Sequence, residues 1–166
     1  MNMIQTKDTK FYLRFGTPED AGLVLSFMKK LGQYQKMSDK IIATTEGIRK
    51  LLAEEKGEAI FGLYKGQTVG MVYFCQTSSA FIGQTGLYID GFFIDEAVRS
   101  KGLGKIMMSF MSKLALDRGC HRLEWGCLDW NEPTLQFYKS MGAYDVGNMT
   151  IHRFAPEQLR SNAALF

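Results

Sequence analysis

Apolar and polar positions follow two different periods along this chain, and they divide its first half into clear elements. A first strand is predicted at 11–16. Thr17, Pro18 and Asp20 then provide an N-cap, a proline at the first helical position and a first-turn acid. Apolar residues at steps of three and four continue to about Tyr34. The chain is therefore expected to begin with a strand and an amphipathic helix.

A second helix and three strand-like segments follow. The helix is predicted at 45–55, and the strands at 58–64, 67–76 and 85–94 are rich in β-branched and aromatic residues. The Lys-Gly pair at 65–66 separates the first two of these strands and indicates a hairpin. We expect these strands to form an antiparallel meander.

The second half adds a helix, a strand and a second, shorter helix. The first helix ends at the glycine C-cap of 118–119, a strand is predicted at 121–128, a short helix at 133–141, and one or two closing strands at 143–153. This order predicts an α/β fold with a mixed central sheet of about six or seven strands, an antiparallel N-terminal meander and about four helices. With no linker or repeat visible, residues 1–166 are expected to form a single domain.

Composition narrows the classes of partner. The chain has 46% hydrophobic and 22% charged residues, typical of a soluble globular protein, and its formal charge of +3 disfavours a nucleic-acid surface. Cys75, Cys120 and Cys127 lack metal-binding spacing, so neither a disulfide framework nor a metal is expected. No targeting segment or apolar run of roughly 18 residues is visible. We expect a cytoplasmic protein with no membrane or nucleic-acid partner.

The glycine-rich segment 98–105, with the sequence VRSKGLGK, is a candidate anion site. Its two glycines leave space beside the backbone N–H groups at a helix start, where a phosphate can bind. A Walker A loop is excluded because Arg99 and Ile106 replace its Gly and its Ser or Thr, and Met107 replaces the third glycine of a dinucleotide fingerprint. A simple turn that enters a helix remains an alternative.

Two segments together resemble a known superfamily. Residues 99–104 match the Q/R-x-x-G-x-G/A signature of the GNAT N-acetyltransferases, and 130–143, with the sequence WNEPTLQFYKSMGA, resemble the segment that holds their coenzyme-contacting Asn and FY pair. The stretches 11–41 and 87–95 are similar to the diamine (spermidine/spermine and thialysine) acetyltransferase branch. The resemblance is weak after Asn148.

The resemblance implies an acetyl-CoA-dependent N-acetyltransferase that forms a homodimer and acts on a primary amine of a small molecule. A polyamine or a lysine-like amino acid would attack the acetyl group directly. The pyrophosphate is expected on the glycine loop, and the pantetheine arm on a strand edge and on the segment after Trp130. The implied coenzyme-binding residues are Phe92, Phe93, Ile94, Arg99, Ser100, Lys101, Gly102, Leu103, Gly104, Lys105, Asn131, Glu132, Pro133, Thr134 and Tyr138.

Two residues are the candidates for proton transfer. Tyr138 is expected to act as general acid toward the departing thiolate, because a phenol with a pKa of about 10 stays protonated at neutral pH. Its alternative role is to extend the apolar face of its helix. Asp90 is expected to hold the cationic amine and relay its proton. The oxyanion is expected on a backbone N–H near Phe92, where Gly91 permits a bulge.

The acceptor side departs from the diamine branch. Gly91 replaces the second of two adjacent acids, Gln35 replaces the acid of a Tyr-Glu pair, and Phe81 replaces a tryptophan. A short or singly charged amine is therefore as plausible as a polyamine, and loops 35–44 and 77–84 are expected to shape the pocket. The predicted acceptor-binding residues are Tyr34, Gln35, Asp90, Glu124, Trp125 and Gly126.

Two alternatives to this function remain at the level of sequence. Acetylation of a peptide or protein would need an open groove, whereas loop 35–44 is expected to cover the site. A non-catalytic sensor that binds acyl-CoA would not need a general acid, so the presence of Tyr138 favours the enzyme.

Overall fold

The computed structural model describes residues 3–147 and 149–165, which divide into two compact units, Met1–Trp130 and Asn131–Phe166. Six strands form one sheet in the first unit: β1 Ile4–Gln5, β2 Phe11–Phe15, β3 Glu58–Tyr64, β4 Gln67–Ser79, β5 Gln84–Ile94 and β6 Arg122–Trp125. The helices are α1 Ala21–Tyr34, α2 Thr45–Ala53 and α3 Leu103–Asp117, and then α4 Glu132–Ser140 and α5 Pro156–Ala163 in the second unit. None of these described helices is long and apolar enough to cross a membrane.

The sheet has the topology that the element order predicts. Its strands follow each other in chain order, with antiparallel pairing from β1 to β5 and parallel pairing between β5 and β6. A parallel neighbour requires a crossover, which α3 supplies. The mixed α/β sheet with an antiparallel N-terminal meander is confirmed.

The two hairpins of the meander differ in how well the sequence predicts them. Lys65 and Gly66 both have positive φ, 51° and 81°, as a type I′ turn requires. The loop expected at 77–84 is wrong in extent, because β4 continues to Ser79 and pairs there with Gln84. The polar residues 77–79, whose composition is typical of a loop, are part of β4 because their backbone groups pair with 84–86 of β5.

A buried ion pair fixes the start of α1. The guanidinium of Arg14, which is only 6% exposed, donates two hydrogen bonds of 2.7 Å to the carboxylate of Asp20. The same carboxylate accepts from the backbone N–H of Thr17, at 2.9 Å. Arg14 also stacks 4.6 Å from the centroid of the Phe61 ring. The predicted helix start thus becomes a short 3₁₀ turn, Pro18–Asp20, that leads into α1.

Helices cover both faces of the sheet in the first unit. On one face Phe27 of α1 packs against Phe61 and Phe93, with ring centroids 6.3 Å apart in both pairs. On the other face a Cβ at Gly62 or Gly70 would lie 3.0 Å from the sulfur of Met107 in α3. The absence of side chains at two cross-strand partners therefore lets α3 approach the sheet closely.

The second unit differs from the prediction at its end. The closing strands expected at 143–153 are wrong for the described part of that range, which forms no strand, and α5 follows instead. Apolar side chains do alternate there, but Tyr144 and Ile151 are 86% and 82% exposed. Alternation alone does not make a strand, because a strand also needs a neighbour for its backbone groups. Asn148 lies outside the described residues.

Candidate active site

A β-bulge in β5 is the central feature of the candidate site. Tyr73 of β4 pairs with Gly91, whereas the next residue, Phe74, pairs with Ile89, so Asp90 is an extra residue in β5. The bulge expected at Gly91 is therefore present. Because a bulge breaks the alternation of side chains along a strand, it gives Asp90 a direction that a regular strand would not.

Asp90 lies in the wall of a cavity of about 300 Å³ in the first unit. Apart from Asp90, Lys40 and Tyr73, the described lining residues have apolar side chains. The segment Lys40–Ala43 forms part of the wall, in agreement with the expectation that loop 35–44 shapes the pocket. The described lining consists of Val24, Met28, Lys40, Ile41, Ile42, Ala43, Ile48, Leu51, Tyr73 and Asp90.

The negative charge of Asp90 acts on two neighbouring groups in β4. Burial raises the pKa of the Tyr73 phenol, and the charges of Asp90 and Cys75 raise it further. Burial also raises the pKa of the Cys75 thiol, with Asp90 as the second cause. Both groups are therefore held in their neutral forms.

Gly91 allows α1 to pack closely against the bulge. A Cβ at this position would lie 2.7 Å from the sulfur of Met28 and 3.4 Å from Cδ2 of Leu31. A carboxylate side chain, which the diamine branch has here, would require the side chain of Met28 to move. The cavity therefore has the carboxylate of Asp90 without an adjacent second acid at Gly91.

The glycine loop has the backbone shape of an anion site. Ser100 and Gly102 both adopt left-handed conformations, with φ of 61° and 78°, and Gly102 is the N-cap of α3. A Cβ at Gly102 would have no atom within 4 Å, so the loop is open at this point. The N–H of Ile106 donates to the carbonyl of Gly102, and the preceding N–H groups of the first turn have no helical acceptor. These residues fit the pyrophosphate of a coenzyme.

The side chain of Arg99 connects this loop to the end of β5 through a hydrogen bond. Its Nε donates to the carbonyl of Ile94 at 3.0 Å, and a terminal nitrogen lies 3.4 Å from Glu96. The guanidinium lies 4.7 Å from the centroid of the Tyr34 ring and 5.4 Å from that of Phe93. The structure thus brings Arg99, Phe93 and Ile94, which are predicted coenzyme residues, together with Tyr34, a predicted acceptor residue.

The strands β5 and β6 stop pairing close to the bulge. Their parallel register runs from Gly86 opposite Arg122 to Ile89 opposite Trp125. The segment Phe92–Ile94 continues β5 beyond this point and still pairs with β4. A strand edge that extends past its neighbour is the geometry that an extended pantetheine arm would need.

Five of the predicted acceptor residues lie outside the described lining of the Asp90 cavity. Gln35 follows α1 and its N–H donates to the carbonyl of Leu31. Glu124 lies in β6, opposite Tyr88 of β5. Its Oε2 lies 2.9 Å from Nε of Arg122, and this ion pair does not have hydrogen-bond geometry. The other three are Tyr34, Trp125 and Gly126.

Sequence reasoning identified Asp90 and missed three side chains that share its cavity. Lys40, Tyr73 and Met28 belong to a 3₁₀ turn, β4 and α1. In the sequence each of them looks like an ordinary residue of its turn, strand or helix, so none of them indicates a site. The alternation of β4 places Tyr73 on the same face as Met71, and this was the one signal in the sequence that could have indicated it.

The second unit contains the remaining predicted coenzyme residues. Asn131 is 4% exposed, and its carbonyl accepts from the N–H groups of Thr134 and Leu135, both at 3.0 Å. Tyr138 is half-buried in α4, with its ring centroid 5.3 Å from that of Phe137. Asn131 and Tyr138 are about two helical turns apart and therefore lie on the same side of α4. Glu132 is exposed and accepts a hydrogen bond from Gln136.

Cysteine, histidine and acidic side chains do not cluster in the part of the chain that the structure describes. No group of three or more of these residues could hold a metal ion there. Cys75, Cys120 and Cys127 are free thiols. Cys120 is buried and accepts a long contact of 3.6 Å from the hydroxyl of Thr85, as a structural thiol would.

Comparisons with known proteins identify relatives in sequence and in fold. A thialysine N-epsilon-acetyltransferase from Caenorhabditis elegans is 28% identical over 81% of each chain. An L-ornithine N5-acetyltransferase from Arabidopsis thaliana is 38% identical over 55% of this chain and 40% of its own. Among solved structures, an integron cassette protein from the mobile metagenome of V. cholerae has the same fold, with a TM-score of 0.75 and 19% identity over 93% of this chain and 98% of its own.

The family model agrees with the resemblance in the two sequence segments. The model of the acetyltransferase (GNAT) family matches residues 28–143, a range that includes the bulge, the glycine loop and α4. The predicted similarity to the diamine branch is also confirmed, since a thialysine acetyltransferase is among the relatives. The chain therefore belongs to the acetyltransferase (GNAT) family and is an N-acetyltransferase that uses acetyl-CoA.

Proposed function

We propose that the protein transfers the acetyl group of acetyl-CoA to the primary amine of a small molecule, either a lysine-like amino acid or a polyamine. The observation that supports this most directly is the bulge in β5, which gives the apolar cavity a carboxylate at Asp90. An ammonium group would bind the carboxylate, and an aliphatic chain would pack against the apolar wall. The relatives named for thialysine and ornithine have acceptors of this chemical kind.

Asp90 is the proposed proton acceptor for the amine. A primary ammonium must lose a proton before its nitrogen can attack, and the carboxylate takes that proton directly or through a water molecule. The bound coenzyme supplies the thioester carbonyl carbon that the nitrogen attacks. A backbone N–H near Phe92, just after the bulge, donates to the carbonyl oxygen as it gains negative charge. In this proposal Asp90 acts on the attacking amine, and the backbone N–H after the bulge acts on the carbonyl oxygen of the thioester.

Residues of the glycine loop and of α4 hold the donor. The N–H groups of 99–105 bind the pyrophosphate, and the backbone of Phe92–Ile94 pairs with the pantetheine amides. Asn131 and the following residues, Glu132, Pro133 and Thr134, contact the same arm. Tyr138 gives its phenolic proton to the thiolate when the bond between carbon and sulfur breaks. The products are an N-acetylated amine and free coenzyme A.

The acceptor is proposed to be short. Position 91 is glycine, so a second acid that could bind a distant ammonium is missing beside Asp90. Tyr34 stacks with Arg99. This contact supports a role for Tyr34 in holding the glycine loop, in addition to any contact with the amine. Gln35, Glu124, Trp125 and Gly126 are retained as proposed acceptor contacts that only a bound substrate can test.

A release assay with an amine panel tests the function. Purified protein with acetyl-CoA is expected to release free thiol with lysine, ornithine or short diamines. Asp90→Asn should raise the KM for the amine about tenfold, by removing one charged partner, and leave the KM for acetyl-CoA unchanged. Asp117→Asn, on the exposed end of α3, is the matched control and should change neither value.

Three outcomes of this assay would contradict the proposal. Tight binding of acetyl-CoA without thiol release for any amine would establish the sensor. Release with peptides alone would establish peptide or protein acetylation. An unchanged amine KM in Asp90→Asn would remove Asp90 from acceptor binding while leaving the reaction type intact.

We also propose a cytoplasmic homodimer, by resemblance to the diamine branch. The exposed apolar side chains of the second unit, among them Tyr144 and Ile151, support an association. Light scattering at micromolar concentration is expected to give twice the mass of one chain, and a monomer mass would contradict the proposal.

A further inference from the structure

Lys40 is the only cation among the described residues that line the Asp90 cavity. It belongs to the 3₁₀ turn Ser38–Lys40, between α1 and α2, whereas Asp90 belongs to β5. Opposite charges thus come to one cavity from two separate elements. In a cavity that binds an amine, a cation in the wall is unfavourable for the amine itself and needs another explanation.

The remaining wall of the cavity suits an aliphatic chain. Met28, Ile41 and Ile48 contribute apolar side chains, and the volume is about 300 Å³. A ligand complementary to this wall has an ammonium group for Asp90, a methylene chain for the apolar side chains, and a carboxylate for Lys40. An amino acid with an amine at the end of its side chain has all three.

Lys40 has the charge and the hydrogen-bonding capacity for this contact. Its Nζ lies 2.9 Å from Oδ2 of Asp39, and the two side chains are 70% and 68% exposed. The hydrogen bond and the charge of Asp39 raise the pKa of Lys40, so that it stays cationic. An ammonium group has three donors, and Asp39 occupies one of them. Lys40 belongs to the described lining of the cavity, whereas Asp39 does not.

We propose that Lys40 is a specificity-determining residue that binds the carboxylate of the acceptor, so that the enzyme prefers an amino acid to a diamine of the same length. This inference rests on the proposed function and adds the acceptor's second charged group to it. A diamine of the same length would place a second ammonium near Lys40, and the two positive charges would repel each other. An amino acid would place a carboxylate there, and the two charges would attract each other.

Lysine and cadaverine are the matched probes, because cadaverine is lysine without its carboxylate. In the wild type, kcat/KM is expected to be higher for lysine. Lys40→Met should lower kcat/KM for lysine about fivefold, the size expected for one solvent-exposed ion pair, and should leave cadaverine unchanged or improve it. Lys40→Arg should retain the preference, because it keeps the cation.

Lys50→Met is the control for a general loss of positive charge. Lys50 lies in α2 between Ile48 and Leu51, which line the cavity, but its own side chain is exposed and outside the described lining. This variant should leave the ratio of lysine to cadaverine unchanged. The same shift in Lys50→Met and Lys40→Met would attribute the effect to net charge and overturn the inference.

Binding measurements separate a failure of this inference from a failure of the proposed function. Calorimetric titration of each amine into the protein with coenzyme A present does not need turnover. Equal affinities for lysine and cadaverine, unaltered by Lys40→Met, would overturn the role of Lys40 even if both amines are acetylated. Absence of acetyl transfer to every amine, with lysine still bound more tightly through Lys40, would overturn the proposed reaction alone.

Discussion

The two ends of the candidate site are built in opposite ways. The proposed pyrophosphate end is one continuous segment, 99–105, where Ser100 and Gly102 have left-handed conformations at the start of α3. The acceptor end combines side chains from α1, a 3₁₀ turn, α2, β4 and β5. In the proposed function, backbone groups bind the pyrophosphate of the coenzyme, whereas side chains bind the amine.

This difference predicts which substitutions the pyrophosphate end and the acceptor end would tolerate. At the donor end the identity of most side chains matters little, provided that the backbone can adopt its conformation. At the proposed acceptor end a single charge, such as that of Asp90 or Lys40, is expected to define which amine binds. Substitutions at the donor end should therefore act through backbone conformation, and those at the acceptor end through charge and size.

The largest effect is expected from Gly102→Val. A β-branched residue at φ of 78° is strained, so the loop should change its shape and lose N–H contacts to the pyrophosphate. Affinity for acetyl-CoA, measured by calorimetry, should fall about a hundredfold, equivalent to about 2.7 kcal/mol.

Gly83→Val is the matched control for this change. Gly83 also has positive φ, 60°, and also has no atom within 4 Å of a Cβ, but it lies at the tip of the hairpin between β4 and β5. Both variants should lose about 1–2 kcal/mol of folding stability. A similar loss of coenzyme affinity in both would show that the glycine loop has no special part in binding.

A smaller effect is expected from Tyr138→Phe, which removes one proton donor and keeps the ring. Turnover should fall about tenfold or more, while the affinity for acetyl-CoA stays nearly constant. Single-turnover kinetics with the best amine of the panel would measure this. Tyr64→Phe, at the end of β3 beside the Lys65-Gly66 turn, is the control. Unaltered turnover in Tyr138→Phe would leave its ring as part of an apolar helix face only.

The smallest effect on activity is expected from Asp20→Asn, which acts on stability alone. Arg14 holds the pKa of the Asp20 carboxyl below its usual range, through the hydrogen bonds between them. A depressed pKa stabilises the fold above the unfolded value of about 3.9, and this stabilisation is lost as pH falls through the folded pKa. The variant should lose about 3 kcal/mol at pH 7, because it leaves Arg14 buried without its charged partner.

Urea unfolding at pH 7 and pH 3 checks both the magnitude and the sign. The difference between wild type and Asp20→Asn should narrow as pH falls below about 4. Glu46→Gln, which breaks an exposed pair with Arg49, should cost less than about 1 kcal/mol. A stability difference that is the same at both pH values would contradict the role of the Asp20 charge.

Most of the sheet was predictable because its signals are local. The Lys65-Gly66 turn and the strands beside it follow from dihedral preferences and from alternation. Local signals failed where the outcome depends on a neighbour. Polar residues of 77–79 became strand because 84–86 pairs with them, and the described residues of 143–153 formed no strand although their apolar positions alternate.

The site shows the same division. Asp90, Gly91 and the glycine loop could be identified from the sequence, since each of them lies in a short contiguous pattern. Lys40 and Tyr73 could not be identified, because they are distant from Asp90 in sequence and reach its cavity through packing. The closeness of the Met28 sulfur to Gly91 is likewise a result of how α1 packs on β5.

The sequence by itself determined the order of elements from β2 to α4 and the family, and it predicted the donor end, because turns, caps and glycine loops depend on residues a few positions apart. Only the tertiary structure decided the acceptor end. Its cavity forms where α1, α2, β4 and β5 meet, so its charge pattern, with Asp90 and Lys40 in an apolar wall, exists only after those elements have packed together.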